Sequence, residues 1–352
     1  MTRILAVRLD SDGDVLLTGP AIQALSRIGT VDLLASPSGA AAAGLLPGVR
    51  AVIEFDAPWS GFRPPEVDTE RTCRLVETLR ENDYDRAAIF TSFHQSPLPM
   101  ALLARMAGIG HVVGTSVDYP GSLLDVRLKR PDPPGGGHEV EAALDVAAAA
   151  GAPRPHHPRL AVRRPLPPVT EGLPTEVRSA GYVVLHPGAS VPARGLRPGH
   201  AARIAAALAG AGHAVVVTGG PAEREQVGEA VSMARRQCPG ATLVDLAGAT
   251  DLAGLAAVLE AADCTVVGNT GPAHLSAAVG TPVVSLFAPV VPAERWRPYG
   301  VPVRLLGDQQ APCRDSRARD CPVPGHPCLG GISGDEVVRA VAELTHSSGG
   351  DT

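Results

Sequence analysis

Short continuous apolar runs alternate along this chain with stretches whose apolar positions recur every three or four residues. The first run, Ile4-Leu-Ala-Val7, leads through Gly13-Asp14 into Val15-Leu-Leu-Thr-Gly-Pro-Ala-Ile-Gln-Ala-Leu25 at helical spacing. That predicts a buried parallel strand, a tight turn and a helix. The same pattern predicts strands at 31–35, 51–55, 86–91 and 111–114, with helices near 38–46, 68–82 and 96–107. A stretch rich in proline and without periodicity, 163–176, interrupts the series. A second series follows, with strands at 182–185, 214–218, 243–245, 264–267 and 283–287 and helices near 198–211, 221–236, 251–261 and 272–279. The last helix, 334–345, follows Ser333 with Glu336 three residues on, the spacing of a capping box. Strand alternating with helix implies parallel sheets covered on both faces. The expected fold is therefore α/β, with two doubly wound Rossmann-like domains, 1–165 and 177–345, joined by a linker at 166–176 and facing a cleft. Ligands of such sheets bind beyond the carboxyl ends of the strands, and a cleft between domains is a usual place for a small-molecule site.

Composition narrows the classes without naming one. A length of 352 residues agrees with two domains. The 39 glycines and 34 prolines stay below the roughly 25–30% typical of low-complexity disorder. The net charge is −5 with no broad basic excess, which argues against nucleic acid as a main partner. The short basic clusters at 127–130 and 314–319 read as solvated faces. Six cysteines are too few for a disulfide-dense scaffold. Charge follows Met1 too soon for a signal peptide, and no apolar run approaches the roughly 18 residues of a membrane span. A cytoplasmic protein is expected, with peripheral membrane contact left open.

The loops after the strands carry the candidate chemistry. Asp14 lies just past the first strand, where a carboxylate can act as a general base; it can equally be a helix N-cap. Asp10 and Asp12 share its loop and compete for either role. His186-Pro-Gly-Ala-Ser190 leads to Arg194 and then to a helix start. Exposed backbone N–H groups, a hydroxyl and a guanidinium there suit a pyrophosphate, against the alternative of an ordinary turn with a surface arginine. Glu223, in Gly219-Gly-Pro-Ala-Glu223, can accept ribose hydroxyls or simply complement a helix dipole. In Gly268-Asn-Thr-Gly-Pro-Ala-His274, Thr270 and Gly271 suit a phosphate at a helix start, while His274 reads equally as ligand-side or as packing. Thr91-Ser-Phe-His94-Gln-Ser-Pro97 follows the fourth strand and makes His94 a candidate acceptor contact. There is no P-loop and no nucleophile elbow. Gly108-Ile-Gly-His-Val-Val-Gly114 follows a helix and enters a strand, the reverse of a dinucleotide loop. Cys313, Cys321, His326 and Cys328 are potential zinc ligands, but their spacing lacks a short C-x₂₋₄-C knuckle. Reduced thiols without metal are expected.

Taken in order, these segments resemble glycosyltransferase family 9, the ADP-heptose:lipopolysaccharide heptosyltransferase family. The carriers are Arg8-Leu-Asp-Ser-Asp-Gly-Asp-Val-Leu-Leu-Thr18, His186-Pro-Gly-Ala-Ser190, Thr218-Gly-Gly-Pro-Ala-Glu223 and Gly268-Asn-Thr-Gly-Pro-Ala-His-Leu275. Gly280-Thr-Pro-Val-Val-Ser-Leu-Phe-Ala-Pro289 and Pro327-Cys-Leu329 extend the match over nearly the whole chain. The resemblance implies the GT-B fold, an acceptor-binding N-terminal domain and a C-terminal domain for the nucleotide-sugar donor. It implies inverting transfer of a sugar, heptose by family, from an ADP-linked donor to a glycan or other hydroxyl acceptor, with no metal or other cofactor. It assigns Asp14 as the base, with Gly13 beside it on the acceptor side. To the donor it assigns Arg194, Glu223, Asn269, Thr270, Gly271 and His274, and Ser190 joins them as a donor-binding candidate from its place in the loop. The chain departs from the family pattern in carrying Asn269 where several members have Asp. It also lacks a tryptophan near Arg194, in Gly195-Leu-Arg-Pro198. A nucleotide-sugar epimerase of similar fold and a non-catalytic sugar-nucleotide binding protein are the alternatives.

Overall fold

The computed structural model describes residues 2–61, 63–92, 94–131, 136–169 and 172–346. The chain divides into two compact units, Met1–Arg163 and Arg164–Thr352. In the first, six strands are described: β1 (Arg3–Arg8), β2 (Thr30–Ala35), β3 (Val49–Glu54), β4 (Arg86–Ile89), β5 (His111–Thr115) and β6 (Val126–Leu128). Their order is β3-β2-β1-β4-β5-β6, and every pair is parallel. The second unit repeats the plan with β7 (Val183–His186), β8 (Val215–Val217), β9 (Leu243–Asp245), β10 (Cys264–Gly268), β11 (Val283–Leu286) and β12 (Val303–Leu306). Its order, β12-β11-β10-β7-β8-β9, is again parallel throughout. Both sheets are thus doubly wound, and both reverse direction beside their first strand, between β1 and β4 and between β7 and β10. A crevice opens at the carboxyl side of such a reversal point.

The central strands form where the apolar runs predicted them, because a strand buried on both faces must be apolar throughout. The two strands that the pattern did not reveal, β6 and β12, are edge strands of three and four residues, and both are partly exposed. A helix not expected, Glu139–Ala149, packs along helix Asp12–Ser26. Its alanine-rich sequence offers little contrast between faces. The first helix begins at Asp12, so Gly13 and Asp14 lie within its first turn rather than in a turn before it. Of the expected linker, Thr170 and Glu171 lie outside the described residues, and a short helix, Thr175–Ala180, starts inside it. The capping box forms as predicted: Ser333 Oγ accepts from the Glu336 N–H, and Glu336 Oε2 accepts from the Ser333 N–H at 2.8 Å. Among the described residues no helix is long and apolar enough to cross a membrane.

The basic cluster at 127–130 is not all solvent-facing. Arg130 is buried against Glu139, Nη1 to Oε1 2.7 Å, and also donates to the carbonyls of Gly136 and Gly137. Covering this end of the sheet makes a solvated face into a buried ion pair.

Two histidines fasten the second unit. The His200 ring donates to the Ile332 carbonyl at 2.8 Å, and the His326 ring to that of Ala193 at 3.0 Å. Burial pushes both imidazoles below their ordinary value of 6.5, against the partial support of those carbonyls. A group whose pKa is depressed in the folded state stabilises the fold fully above its unfolded value and loses that contribution as pH falls. Urea unfolding should therefore show stability declining below about pH 6.5. In His200→Gln the decline between pH 7.5 and 5.5 should be smaller than in the wild type; an unchanged decline would remove His200 from this account.

Candidate functional site

The loop after β1 carries three carboxylates, and the structure gives each a different task. Asp12 Oδ1 accepts from the Ala42 N–H at 3.0 Å, so it fastens the next helix, and burial raises its pKa. Asp10 is fully engaged: Oδ2 lies 2.8 Å from Arg8 Nε and Oδ1 accepts from Gln95 Nε2 at 2.5 Å. Burial pushes Asp10 up, with Arg8 opposing. Asp14 stays partly open to solvent, 21% by its side chain. Its Oδ1 lies 3.1 Å from Arg8 Nη2, and its Oδ2 accepts from Ser11 Oγ at 3.3 Å. The N-cap position belongs to Ser11, so the capping alternative for Asp14 falls away.

Arg8 organises this group. It ends β1, is 3% exposed and also donates to Ser92 Oγ at 2.9 Å. Burial disfavours its charge, yet Asp10, Asp14 and Glu139 outweigh that and raise its pKa above the ordinary arginine value. Glu139 is itself pushed up by burial, with Arg8 and Arg130 opposing. The family motif begins at Arg8, but sequence reasoning gave that residue no role. The readable signal was a lone arginine closing an apolar strand immediately before three aspartates. Gln95, likewise missed, braces Asp10 and accepts from the Ser92 N–H. His94 is exposed beside it, and its neighbour Phe93 lies outside the described residues. Gly13 is buried.

In the second unit the loop after β7 meets the loop after β8 on one side and the loop after β10 on the other. The loop after β7 passes so close to the loop after β8 that a Cβ on Gly188 would lie 1.9 Å from Glu223 Oε1. A Cβ on Gly268 would lie 2.5 Å from the Arg194 carbonyl oxygen. Glycine at these two positions is what lets the segments close together. Glu223 caps its own turn, Oε2 accepting from the Gly220 N–H at 2.7 Å, and still faces Gly188. Its other neighbour is His186 Nε2 at 3.9 Å. His186 bonds Thr218 Oγ1 at 2.9 Å, and burial pushes its pKa down, with Glu223 opposing. Gly188 and Glu223 line a small surface pocket together with Leu196 and Pro198.

Arg194 closes a short 3₁₀ turn, Pro192–Arg194, that is held from the chain's tail. The Ala193 N–H donates to the Arg319 carbonyl, and the Ala193 carbonyl accepts from His326. Ser190 is exposed on the same loop. Thr270 takes the N-cap position of helix Gly271–Val279, and His274 is buried in its first turn. Asn269 is an exception to the expected donor set. Its Nδ2 donates to the Ala288 carbonyl at 3.2 Å and its Oδ1 accepts from the Ala288 N–H at 3.1 Å. The amide is spent on clasping the ends of β10 and β11. An aspartate could not donate to Ala288, which gives a physical reason for Asn at this position. His326, one of the potential zinc ligands, is likewise committed to the backbone. Among the described residues no group of three or more His, Cys, Asp or Glu is arranged to hold a metal ion.

Comparison with known proteins meets this geometry from another direction. The family model described as glycosyltransferase family 9 (heptosyltransferase) matches residues 72–326. The chain is 26% identical to lipopolysaccharide heptosyltransferase 3 of Escherichia coli over 355 residues, covering 96% of this chain and 97% of that protein. It superposes on the structure of E. coli ADP-heptose lps heptosyltransferase II with a TM-score of 0.70 at 20% identity, over 99% of both chains. Against E. coli heptosyltransferase WaaC with ADP-2-deoxy-2-fluoro heptose the TM-score is 0.66 at 21% identity, over 97% of this chain and 99% of that one.

Removing the guanidinium leaves buried carboxylates uncompensated, which costs roughly 3–5 kcal/mol. Arg8→Met should lose about that much stability in urea unfolding, and Arg8→Lys, which keeps the charge, should lose less. Wild-type stability in Arg8→Met would show that the carboxylates do not depend on it. Gly188→Ala should displace Glu223, visible as weaker binding of a nucleoside diphosphate in titration calorimetry.

Proposed function

The chain belongs to glycosyltransferase family 9, and on that footing we propose that it moves heptose from ADP-heptose to a hydroxyl of a glycan or small acceptor, with inversion and without a metal ion. It is a glycosyltransferase of GT-B architecture; the donor, the stereochemistry and the residue roles are the proposal. The observation that carries the reading is the arrangement around Asp14. Its side chain is 21% exposed against 11% for Asp10, and Arg8 and Ser11 fix its direction.

Asp14 takes the proton of the acceptor hydroxyl as that oxygen attacks the anomeric carbon from the face opposite the diphosphate. The bond from that carbon to the diphosphate oxygen breaks, and ADP leaves with the electron pair. Negative charge grows on the diphosphate in the transition state. Arg194, Ser190 and the N–H groups opening helix Gly271–Val279 are the groups to stabilise it, a permanent cation and preset dipoles in place of a metal. Glu223, which lines a small pocket with Gly188, accepts ribose hydroxyls in this reading. His274 supports the phosphate side from within the helix, and Asn269 holds the loop in shape. The ADP-heptose analogue bound by WaaC supports the donor. Gly13 and His94 fall on the acceptor side, and the cytoplasm is the proposed setting.

General-base catalysis contributes about 10²–10⁴ in rate. Asp14→Asn should therefore lower kcat at least about a hundredfold in ADP-heptose assays while ADP affinity holds; near-normal turnover would exclude Asp14 as the base. A thermal-shift panel of ADP, UDP, GDP, dTDP and NAD at equal concentration tests the donor. A ligand at about a hundred times its Kd adds roughly 2.7 kcal/mol. ADP should shift the melting temperature most. A larger shift with UDP, GDP or dTDP would replace the donor, and isomerisation of the sugar nucleotide without acceptor would favour an epimerase.

A further inference from the structure

The segment from Cys313 to Cys328 forms a strap along the loops that follow β7 and β11. Both ends of the strap are buried, Cys313 and Cys328 each 1% exposed. On the loop after β11, the Asp315 N–H donates to the Pro289 carbonyl and the Arg317 N–H to the Val290 carbonyl, both at 2.8 Å. On the loop after β7, the strap holds Ala193 by both of its backbone polar groups. The Ala193 N–H donates to the Arg319 carbonyl at 2.9 Å, and the Ala193 carbonyl accepts from His326 Nε2 at 3.0 Å. Ala193 directly precedes Arg194 in the 3₁₀ turn.

The strap adopts an uncommon backbone to make these contacts. Among the described residues, four besides glycine have a left-handed φ, and three of them are here: Asp315 at 57°, Arg317 at 54° and His326 at 56°. Such conformations persist where the surroundings hold them, and they gather around ligand clamps. His326 combines this backbone with a buried ring that bonds the Arg194 turn. The turn has little of its own to fix it: the Arg194 N–H donates to the Val191 carbonyl at 2.9 Å and the Gly195 N–H to the Pro192 carbonyl at 3.2 Å. We infer that His326 is a positioning residue for diphosphate recognition: through Ala193 it fixes the turn that carries Arg194, and so sets how strongly the site prefers a nucleoside diphosphate to the bare nucleoside. The inference rests on the reading of Arg194 as a donor contact and adds the residue that holds it in place. Guanidinium–phosphate contacts depend closely on geometry, so a small displacement of the turn is enough to weaken them.

The test titrates the full chain with ADP by calorimetry and with adenosine by saturation-transfer NMR. His326→Asn tolerates the left-handed backbone but is too short to reach Ala193. It should weaken ADP about tenfold or more and change adenosine by less than about twofold. His326→Gln, whose amide can donate as the ring does, should recover most of the ADP affinity. Arg194→Gln should itself weaken ADP and spare adenosine. In that background His326→Asn should cost no further ADP affinity, because residues acting through one contact are not additive. A role in packing alone would weaken both ligands together or add its full cost to that of Arg194→Gln, and either result would overturn the inference. So would wild-type ADP binding in His326→Asn, or His326→Gln binding ADP no better than His326→Asn. A second measurement needs no destabilised variant: with ¹⁵N-histidine, the His326 Nε2–H signal of the wild type should move on adding ADP and hold on adding adenosine. A signal indifferent to ADP would also overturn the inference. Weaker ADP binding in Arg194→Gln but not in His326→Asn sinks the strap alone, whereas wild-type ADP binding in Arg194→Gln sinks the donor reading of Arg194 itself.

Discussion

A parallel strand covered by helices on both faces has no side that can face water. All described strands of this protein are parallel, and the central ones are buried along nearly their whole length. Such strands cannot carry solvated polar side chains, so the chemistry is driven to where they end. Each sheet has one place where its winding reverses, and there the loops diverge and leave room. Both candidate sites occupy such places: Arg8, Asp10, Asp14, Ser92 and Gln95 in the first unit, and His186, Gly188, Arg194, Glu223 and the start of helix Gly271–Val279 in the second.

Arg8 is the most demanding consequence of that arrangement. A guanidinium at the end of a buried strand is tolerable only if fully paired, and this one meets two aspartates and a serine. The pairing gives each neighbouring acid different partners. Asp10 meets Arg8 and Gln95, Asp12 meets the next helix at Ala42, and Asp14 meets Arg8 and Ser11. Val7 and Leu9, which flank Arg8 on the same strand end, are buried in the core instead, because consecutive strand residues point to alternate faces.

The second unit shows how backbone proximity does comparable work. Two glycines without Cβ atoms let Glu223 and the Arg194 segment come against neighbouring loops. The tail of the chain then holds the Arg194 turn through Arg319 and His326. The cysteine- and histidine-bearing tail is thus accounted for in part by packing: Cys313 and Cys328 are buried in the unit's core, and burial lifts the Cys328 thiol to about 12.

The sequence by itself determined the two doubly wound α/β units, the central strands, the capping box at Ser333 and the loops in which chemistry could sit. These follow from local signals, namely apolar runs, helical spacing and glycine-containing strand-to-helix turns, that require no knowledge of distant residues. It did not reveal β6, β12 or helix Glu139–Ala149, because short edge strands and alanine-rich helices carry weak periodicity. Nor could it show the different partners of Asp10, Asp12 and Asp14, see that Arg130 is buried on Glu139, or know that the Asn269 amide bonds Ala288. Those outcomes depend on partners up to 85 positions away, as Gln95 is from Asp10. The burial and pairing of a charge are properties of the folded neighbourhood, and only the tertiary structure brings that neighbourhood together.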